Sequence, residues 1–257
     1  MKKVTILKSY SHKIGLNLFQ EILDIIYPVR CPLCGDIVVP KGNQICPTCR
    51  EKLPYIQEPR CMKCSKPLEQ EEKEYCKDCE RKLYHFDKGY AVWTYNDRMK
   101  QSVANFKYHN KKEYAKFYIE EVIHNYAIKI SRMNVDVIVP IPIHRSKYLE
   151  RGYNQADILA KGIGKRLGIT VISDLLLRNR KTMPQKELSD VERLRNLTGA
   201  FGWNEAAAKR YNRVVERVLL IDDIYTTGST IEACSSILKA HGVLEVYFIV
   251  LCIGKGF

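Results

Sequence analysis

The sequence predicts an α/β protein, a parallel sheet flanked by helices, preceded by a small tandem domain organised around cysteine. Three observations carry this expectation. Eight of the ten cysteines fall between positions 31 and 79, in four Cys-x-x-Cys pairs. From Phe86 onward, short apolar runs alternate with amphipathic stretches, which is the pattern of strands covered by helices. The run Val218-Leu219-Leu220-Ile221 is followed by Asp222-Asp223 and a Thr/Gly/Ser-rich turn, so one buried strand ends on polar residues.

The cysteine pairs are Cys31/Cys34, Cys46/Cys49, Cys61/Cys64 and Cys76/Cys79, and the second two repeat the first two thirty positions later. The repeat extends beyond cysteine, since Arg30-Cys-Pro-Leu-Cys-Gly matches Arg60-Cys-Met-Lys-Cys-Ser. A Cys-x-x-Cys turn presents two thiolates to one ion, and two such turns complete a closed tetrahedral zinc site. Such sites are structural: metal binding replaces a core too small to fold alone. The repeat favours local pairing, with Cys31, Cys34, Cys46 and Cys49 on one ion and Cys61, Cys64, Cys76 and Cys79 on the other. Spacing alone also permits a cross-braced arrangement. Disulfides require an oxidising compartment, for which no targeting segment argues. The two solitary cysteines, Cys234 and Cys252, read as buried core thiols.

A chain of 257 residues accommodates one medium domain and a smaller one. The expected division is an N-terminal amphipathic helix within 1–27, a double zinc-ribbon domain over 28–84, and the α/β domain over 85–257. The helix expectation rests on Leu16, Leu18, Phe19, Ile22, Leu23, Ile25 and Ile26 around Glu21 and Asp24, with Pro28 ending the pattern. The formal charge of +13 points to an anionic partner such as nucleic acid or a nucleotide. No apolar run reaches the roughly 18 residues a membrane span requires. Met1 to Lys13 lacks the apolar core of a signal peptide, so cytoplasmic placement is the expectation.

Within the α/β part, Phe86 to Tyr95 reads as a strand, and Asn96 or Asp97 as the cap of a helix through Phe106. Glu113 to Ile130 has the helical period, and Val135 to Val139 is the next strand. Gln155 to Leu167 is helical, and Ile169 to Leu177 is mostly extended. Asn179 to Asn196 is polar and interrupted by Pro184. Val218 to Ile221 is a strand, Ser229 to Ala240 its following helix, and Leu244 to Leu251 the last strand.

Ligands of open α/β sheets bind outside the carboxyl ends of strands. There, Asp222 and Asp223 offer acceptors for sugar hydroxyls. Thr226, Thr227, Gly228, Ser229 and Thr230 offer hydroxyls and helix-start amides for an anion. The combination suits a phosphorylated ribose. A second strand end, Val139-Pro140-Ile141-Pro142-Ile143-His144-Arg145, turns basic and continues to Lys147 and Arg151. Arginine with backbone amides suits a pyrophosphate. The polar stretch from Arg178 through Arg180 and Lys181 is long enough to read as a lid over phosphates. From Arg98 to Lys112 there are five Lys/Arg and no acid, interleaved with Phe106, Tyr108 and His109. Basic and aromatic side chains together suit single-stranded nucleic acid.

The segment Val218 to Thr230 resembles the 5-phosphoribosyl-1-pyrophosphate (PRPP) motif of type I phosphoribosyltransferases. The order of blocks resembles the ComF (ComFC-type) family: tandem Cys-x-x-Cys units, Lys107-Tyr108, Pro140-Ile141-Pro142 then Arg151-Gly-Tyr-Asn-Gln155, Arg178-x-x-x-Thr182-x-x-Gln185, Arg193-x-x-Asn196, and the PRPP motif. That resemblance implies a double zinc ribbon on a type I phosphoribosyltransferase-like domain. It implies Asp222 and Asp223 on the ribose, Thr226 to Thr230 on the 5′-phosphate, and magnesium bound with PRPP. Arg145, Arg151, Arg180 and Lys181 are then the candidates for the pyrophosphate, with Asp222, Asp223, Arg145 and Arg151 the catalytic set. The resemblance further implies a role in natural competence, on single-stranded transforming DNA and with a helicase partner. The alternative is a metabolic enzyme transferring ribose 5-phosphate to a nucleobase or amine, and whether turnover occurs is left open by the residues.

Overall fold

The computed structural model describes residues 26–179 and 199–254. The expected N-terminal helix, and Arg180, Lys181 and the rest of the polar stretch to 198, lie outside the described residues. The chain divides into two compact units, Met1–Lys52 and Leu53–Phe257. This division falls between the two cysteine modules, whereas the sequence placed a boundary after residue 84. The reason is physical: the second module shares a core with the sheet.

In the first unit, the Cys46 pair opens a one-turn helix, α1 (Pro47–Arg50). The Cys31 N–H donates to Asp36 O at 2.8 Å and the Gly35 N–H to Cys31 O at 2.9 Å, which forms the tight turn between the first two ligands. The second module repeats this turn: Cys61 N–H to Lys66 O at 2.7 Å and Ser65 N–H to Cys61 O at 2.9 Å, with α2 (Lys77–Arg81) in place of α1. Gly35 has φ +81° and Ser65 has φ +66°, the same left-handed conformation. A side chain there costs about 1–2 kcal/mol. Ser65 offsets it by donating its Oγ–H to Gly89 O at 2.8 Å, a bond that ties the module to the sheet.

The sheet contains β1 (Lys88–Thr94), β2 (Val137–Pro140), β3 (Thr170–Val171), β6 (Arg217–Tyr225) and β7 (Glu245–Ile253), ordered β1-β7-β6-β2-β3 and all parallel. Between them run α3 (Asp97–Tyr108), α4 (Tyr114–Met133), α5 (Arg145–Arg151), α6 (Gln155–Leu167), α7 (Glu205–Tyr211) and α8 (Ser229–Ala240). Strands β4 (Leu176–Arg178) and β5 (Phe201–Trp203) form a separate antiparallel pair. Asn96 caps α3, its side chain accepting from Met99 N–H at 3.0 Å. The extended stretch after Ile169 resolves into two short strands, β3 and β4, separated by a turn. The basic turn after Ile143 is a helix, α5, which closes on Gly152 at φ +76°.

Helix α6 packs on β2, β3, β6 and α4, while α8 packs on β5 and β7. The strands between them are buried almost throughout, as parallel strands covered on both faces must be. On one face, Trp93 stacks on Phe117 at 5.6 Å, and Phe106 and Tyr118 lie at 5.3 Å, all fully buried. On the other, Phe86, Phe248 and Tyr225 form a ring cluster that continues into Cys61, Cys64 and Cys76. Each such side chain contributes about 1.5–3 kcal/mol on burial. Cys234 and Cys252 are fully buried core thiols.

Candidate functional site

The chain winds outward from β2 to β3 on one side and from β6 to β7 on the other, so the sheet changes direction between β2 and β6. That is where a crevice opens in a doubly wound sheet. The ladder between them ends at Pro140↔Ile221, after which β6 continues to Tyr225 paired only with β7 among the described residues. The sequence ended this strand at Ile221. Its extension is what leaves Asp222 and Asp223 on a strand edge that faces the crevice.

The crevice is a cleft of about 500 Å³ lined by Asp222, Asp223, Thr226 and Thr230 and by five cations, Lys100, Lys107, Lys147, Arg151 and Arg178. Lys107 Nζ lies 2.8 Å from Asp223 Oδ2, both side chains mostly buried. Burial works against the Lys107 charge, but Asp223 and then Asp222 outweigh it and hold the ammonium above its ordinary range. Asp222 Oδ1 accepts the Asp223 N–H at 2.9 Å. Burial, with the charge of Asp223 beside it, pushes the Asp222 carboxyl up to about 7. Burial and then the neighbouring Arg151 and Arg178 pull Lys147 below its ordinary range. Burial also lowers Arg178, whose guanidinium lies 4.9 Å from the Phe201 ring. Arg151 stacks on Tyr108 at 4.7 Å and donates to its hydroxyl at 3.0 Å and to Gln155 Oε1 at 3.1 Å. Cations crowded to the point of mutual repulsion are relieved by a polyanion.

The turn after β6 has the geometry of an anion cradle. Gly228 takes φ +79°, and a Cβ there would lie 2.3 Å from the Tyr225 hydroxyl oxygen, so only glycine fits. It positions Ser229 at the start of α8, where first-turn amides have no carbonyl within the helix to pair with. Thr227 Oγ1 and Ser229 Oγ lie 2.9 Å apart.

Of the residues singled out from the sequence, Asp222, Asp223, Thr226, Thr230 and Arg151 meet in the cleft, with Thr227, Gly228 and Ser229 forming the adjoining turn. Arg145 does not join them: as the first residue of α5 it is exposed and is not among the lining residues. Lys107 and Arg178 stand in the sequence reading only as members of family motif blocks, and Lys147 only within a basic turn. Their shared destination depends on the fold, because they come from α3, β4 and α5. Phe106, read as a stacking surface for bases, is fully buried, with Tyr118 at 5.3 Å and Tyr153 at 6.0 Å. Tyr108 and His109 remain exposed.

The cysteines assemble by local pairing. In each set, Cys31/Cys34/Cys46/Cys49 and Cys61/Cys64/Cys76/Cys79, the four Sγ atoms lie within 4.8 Å of one another. A tetrahedral ion with zinc–sulfur bonds of about 2.3 Å requires sulfurs about 3.8 Å apart. Cys34–Cys46 is 3.8 Å, Cys31–Cys46 3.7 Å and Cys64–Cys76 3.6 Å. Thiols at this range ionise together only around a cation, so both sets fit zinc.

Residues 114–256, more than half of the chain, match the model of the phosphoribosyl transferase domain. The chain belongs to that family. Residues 22–80 match the double zinc ribbon domain, so the phosphoribosyl transferase domain here follows two zinc-ribbon sites. The chain is similar to competence protein F of Haemophilus influenzae, at 35% identity over 111 residues covering 43% of this chain and 47% of that protein. It is similar to competence protein ComFC of Bacillus subtilis, at 31% identity over 155 residues, 59% and 58% of the two chains. DNA utilization protein YhgH of Escherichia coli (strain K12) is 32% identical over 117 residues, 46% and 49%. The chain spans about half the length of the curated relatives it matches. None of the described helices is long and apolar enough to cross a membrane.

Proposed function

We propose that this phosphoribosyl transferase domain binds PRPP with magnesium in the β2/β6 cleft. We further propose that the protein acts in natural competence, in the uptake or processing of single-stranded transforming DNA. One observation carries the ligand reading: paired carboxylates, a glycine-set helix start and five cations line or border a single cleft at the turning point of the sheet.

In this reading Asp222 and Asp223 accept from the ribose hydroxyls, and the turn from Thr226 to Thr230 holds the 5′-phosphate. Lys147, Arg151 and Arg178 face the pyrophosphate, with Arg180 and Lys181 on the adjoining polar stretch and Arg145 at the start of α5. Magnesium favours oxygen ligands and retains waters; the two carboxylates are its candidate protein partners, and it supplies charge neutralisation of the pyrophosphate. In a transfer reaction the bond from the anomeric carbon to pyrophosphate breaks with its electron pair leaving on oxygen. The acceptor nitrogen donates the new pair and releases a proton. Catalysis then consists of positioning and stabilisation of the leaving charge by the cations.

The competence role is supported by the names of the similar proteins, competence protein F and ComFC, and by YhgH, a DNA utilization protein. The formal charge of +13 and the exposed Arg98, Lys100, Tyr108, His109 and Lys112 favour a nucleic-acid partner. A helicase is the protein partner this role calls for, and cytoplasmic placement the compartment. The metabolic alternative is favoured by the Tyr95 and Val103 wall of the same cleft, which suits a flat heterocycle. Calorimetry with PRPP and magnesium tests the ligand. Pyrophosphate release across a panel of nucleobases separates turnover from binding alone. Salt-dependent binding of single-stranded DNA tests the competence role, and no binding at low salt removes it.

A further inference from the structure

The phosphate turn does not rest on the sheet alone. Tyr225, the last residue of β6, is almost fully buried beneath that turn, its hydroxyl against Gly228. That hydroxyl has no hydrogen-bond partner among the described residues. The ring of Tyr225 stacks on Phe248 at 5.1 Å, and the Lys66 ammonium stands 5.9 Å over it. Lys66 belongs to the second zinc ribbon. It is itself buried, and its ammonium is held by Asp78 Oδ2 at 2.5 Å. Asp78 lies on α2 between the ligands Cys76 and Cys79, and Lys66 O closes the turn of Cys61.

Two further links leave the same ribbon. The Tyr84 hydroxyl donates to Thr227 O at 3.3 Å while its ring stacks on Phe86 at 4.8 Å. The His85 N–H donates to Glu232 Oε2 at 2.8 Å, in the first turn of α8. The phosphate turn is therefore held from below by Tyr225 and from the side by Tyr84, and both are placed by residues that the second ribbon orders.

We propose that Tyr84 and Tyr225 are positioning residues through which the Cys61/Cys64/Cys76/Cys79 ribbon sets the conformation of the phosphate turn. Occupancy of that ribbon and binding of a phosphoribosyl ligand are then thermodynamically linked. The linkage is reciprocal: a ligand that favours the ordered turn retains the metal, and loss of the metal weakens the ligand. The ligand half of this inference rests on the PRPP reading; the mechanical half, ribbon to turn, does not.

The test uses the full-length protein and Tyr84→Phe, which keeps the ring and all eight ligands. Amide hydrogen exchange is followed over residues 226–230. Loss of one hydrogen bond to Thr227 O is expected to raise exchange there by about three- to tenfold, with two equivalents of zinc retained. In the unmodified chain, PRPP is expected to slow chelator-driven release of one zinc equivalent and leave the other unchanged. Tyr84→Phe removes that protection. If Tyr84→Phe misfolds, Lys66→Met with Asp78→Asn, which removes both charges of the buried pair together, serves in its place. Turn exchange identical in variant and unmodified protein overturns the inference. A turn that responds to Tyr84→Phe in a protein that binds no PRPP supports the ribbon-to-turn coupling and overturns the ligand linkage and the PRPP reading together.

Discussion

Lys107 Nζ and Asp223 Oδ2 lie 2.8 Å apart on the floor of the cleft, a largely buried ion pair joining α3 to β6. Removing one partner of such a pair leaves an uncompensated charge, here beside a second carboxylate. Lys107→Met is expected to destabilise the protein by about 3–5 kcal/mol at neutral pH. Lys107→Met with Asp223→Asn is expected to cost less than Lys107→Met alone. A double-mutant cycle by urea denaturation measures the difference.

The Asp222 carboxyl, pushed up to about 7, gives a pH dependence of definite sign. In the unfolded chain an aspartate titrates near about 3.9. Between these values the native state holds the proton that the unfolded state has released, so this group's contribution to stability falls as pH rises through the window. Asp222→Asn removes that slope and is expected to stabilise the protein above pH 7. Ribose and magnesium binding favour the ionised form. PRPP affinity is therefore expected to rise by up to about tenfold per pH unit below 7 and to level off above it, as read by calorimetry from pH 5.5 to 8.5.

Gly228→Ala places a Cβ on the Tyr225 hydroxyl and demands a left-handed alanine. The conformation alone costs about 1–2 kcal/mol, and the clash adds to it. The expected result is a lowered melting temperature together with loss of phosphoribosyl binding. Ser229→Ala, which leaves the backbone unchanged, is expected to weaken binding by less.

The two zinc sites are predicted to differ. Cys34 is exposed within its own small unit, whereas Cys64 is fully buried in the core shared with the sheet. Cys34→Ser is expected to release one zinc equivalent while the main thermal transition holds. Cys64→Ser is expected to release one equivalent and lower that transition by several degrees. Calorimetric scanning with metal analysis checks both.

Much of this architecture was legible in the sequence because its signals are local. The thirty-residue cysteine repeat anticipated both ligand sets, and the alternation of apolar runs and helices anticipated the parallel sheet. The Asp222-Asp223 pair and its turn marked the cleft. What stayed hidden depends on tertiary placement. Lys107 and Arg178 are separated by more than seventy positions, on α3 and β4, and meet only once the sheet brings those elements to one cleft. Phe106 looked available for stacking but points inward, since the period of α3 puts it on the same face as Met99 and Val103. Short elements such as α5, β5 and α7 carry too little pattern to stand out from turns. The division after Lys52 carries no local signal, because the two cysteine modules share their spacing and the packing of Cys61, Cys64 and Cys76 into the core of the sheet is tertiary.

In the proposed function, the β2/β6 cleft holds a phosphorylated ribose through Asp222 and Asp223. The most direct test is calorimetric titration of PRPP with magnesium into the unmodified protein and into Asp222→Asn/Asp223→Asn, a near-isosteric pair of changes. Saturable one-to-one binding is expected in the first and a loss of at least about a hundredfold in the second, two charge-assisted contacts being removed. Equal affinity in the two proteins, or no binding heat in either, contradicts that function.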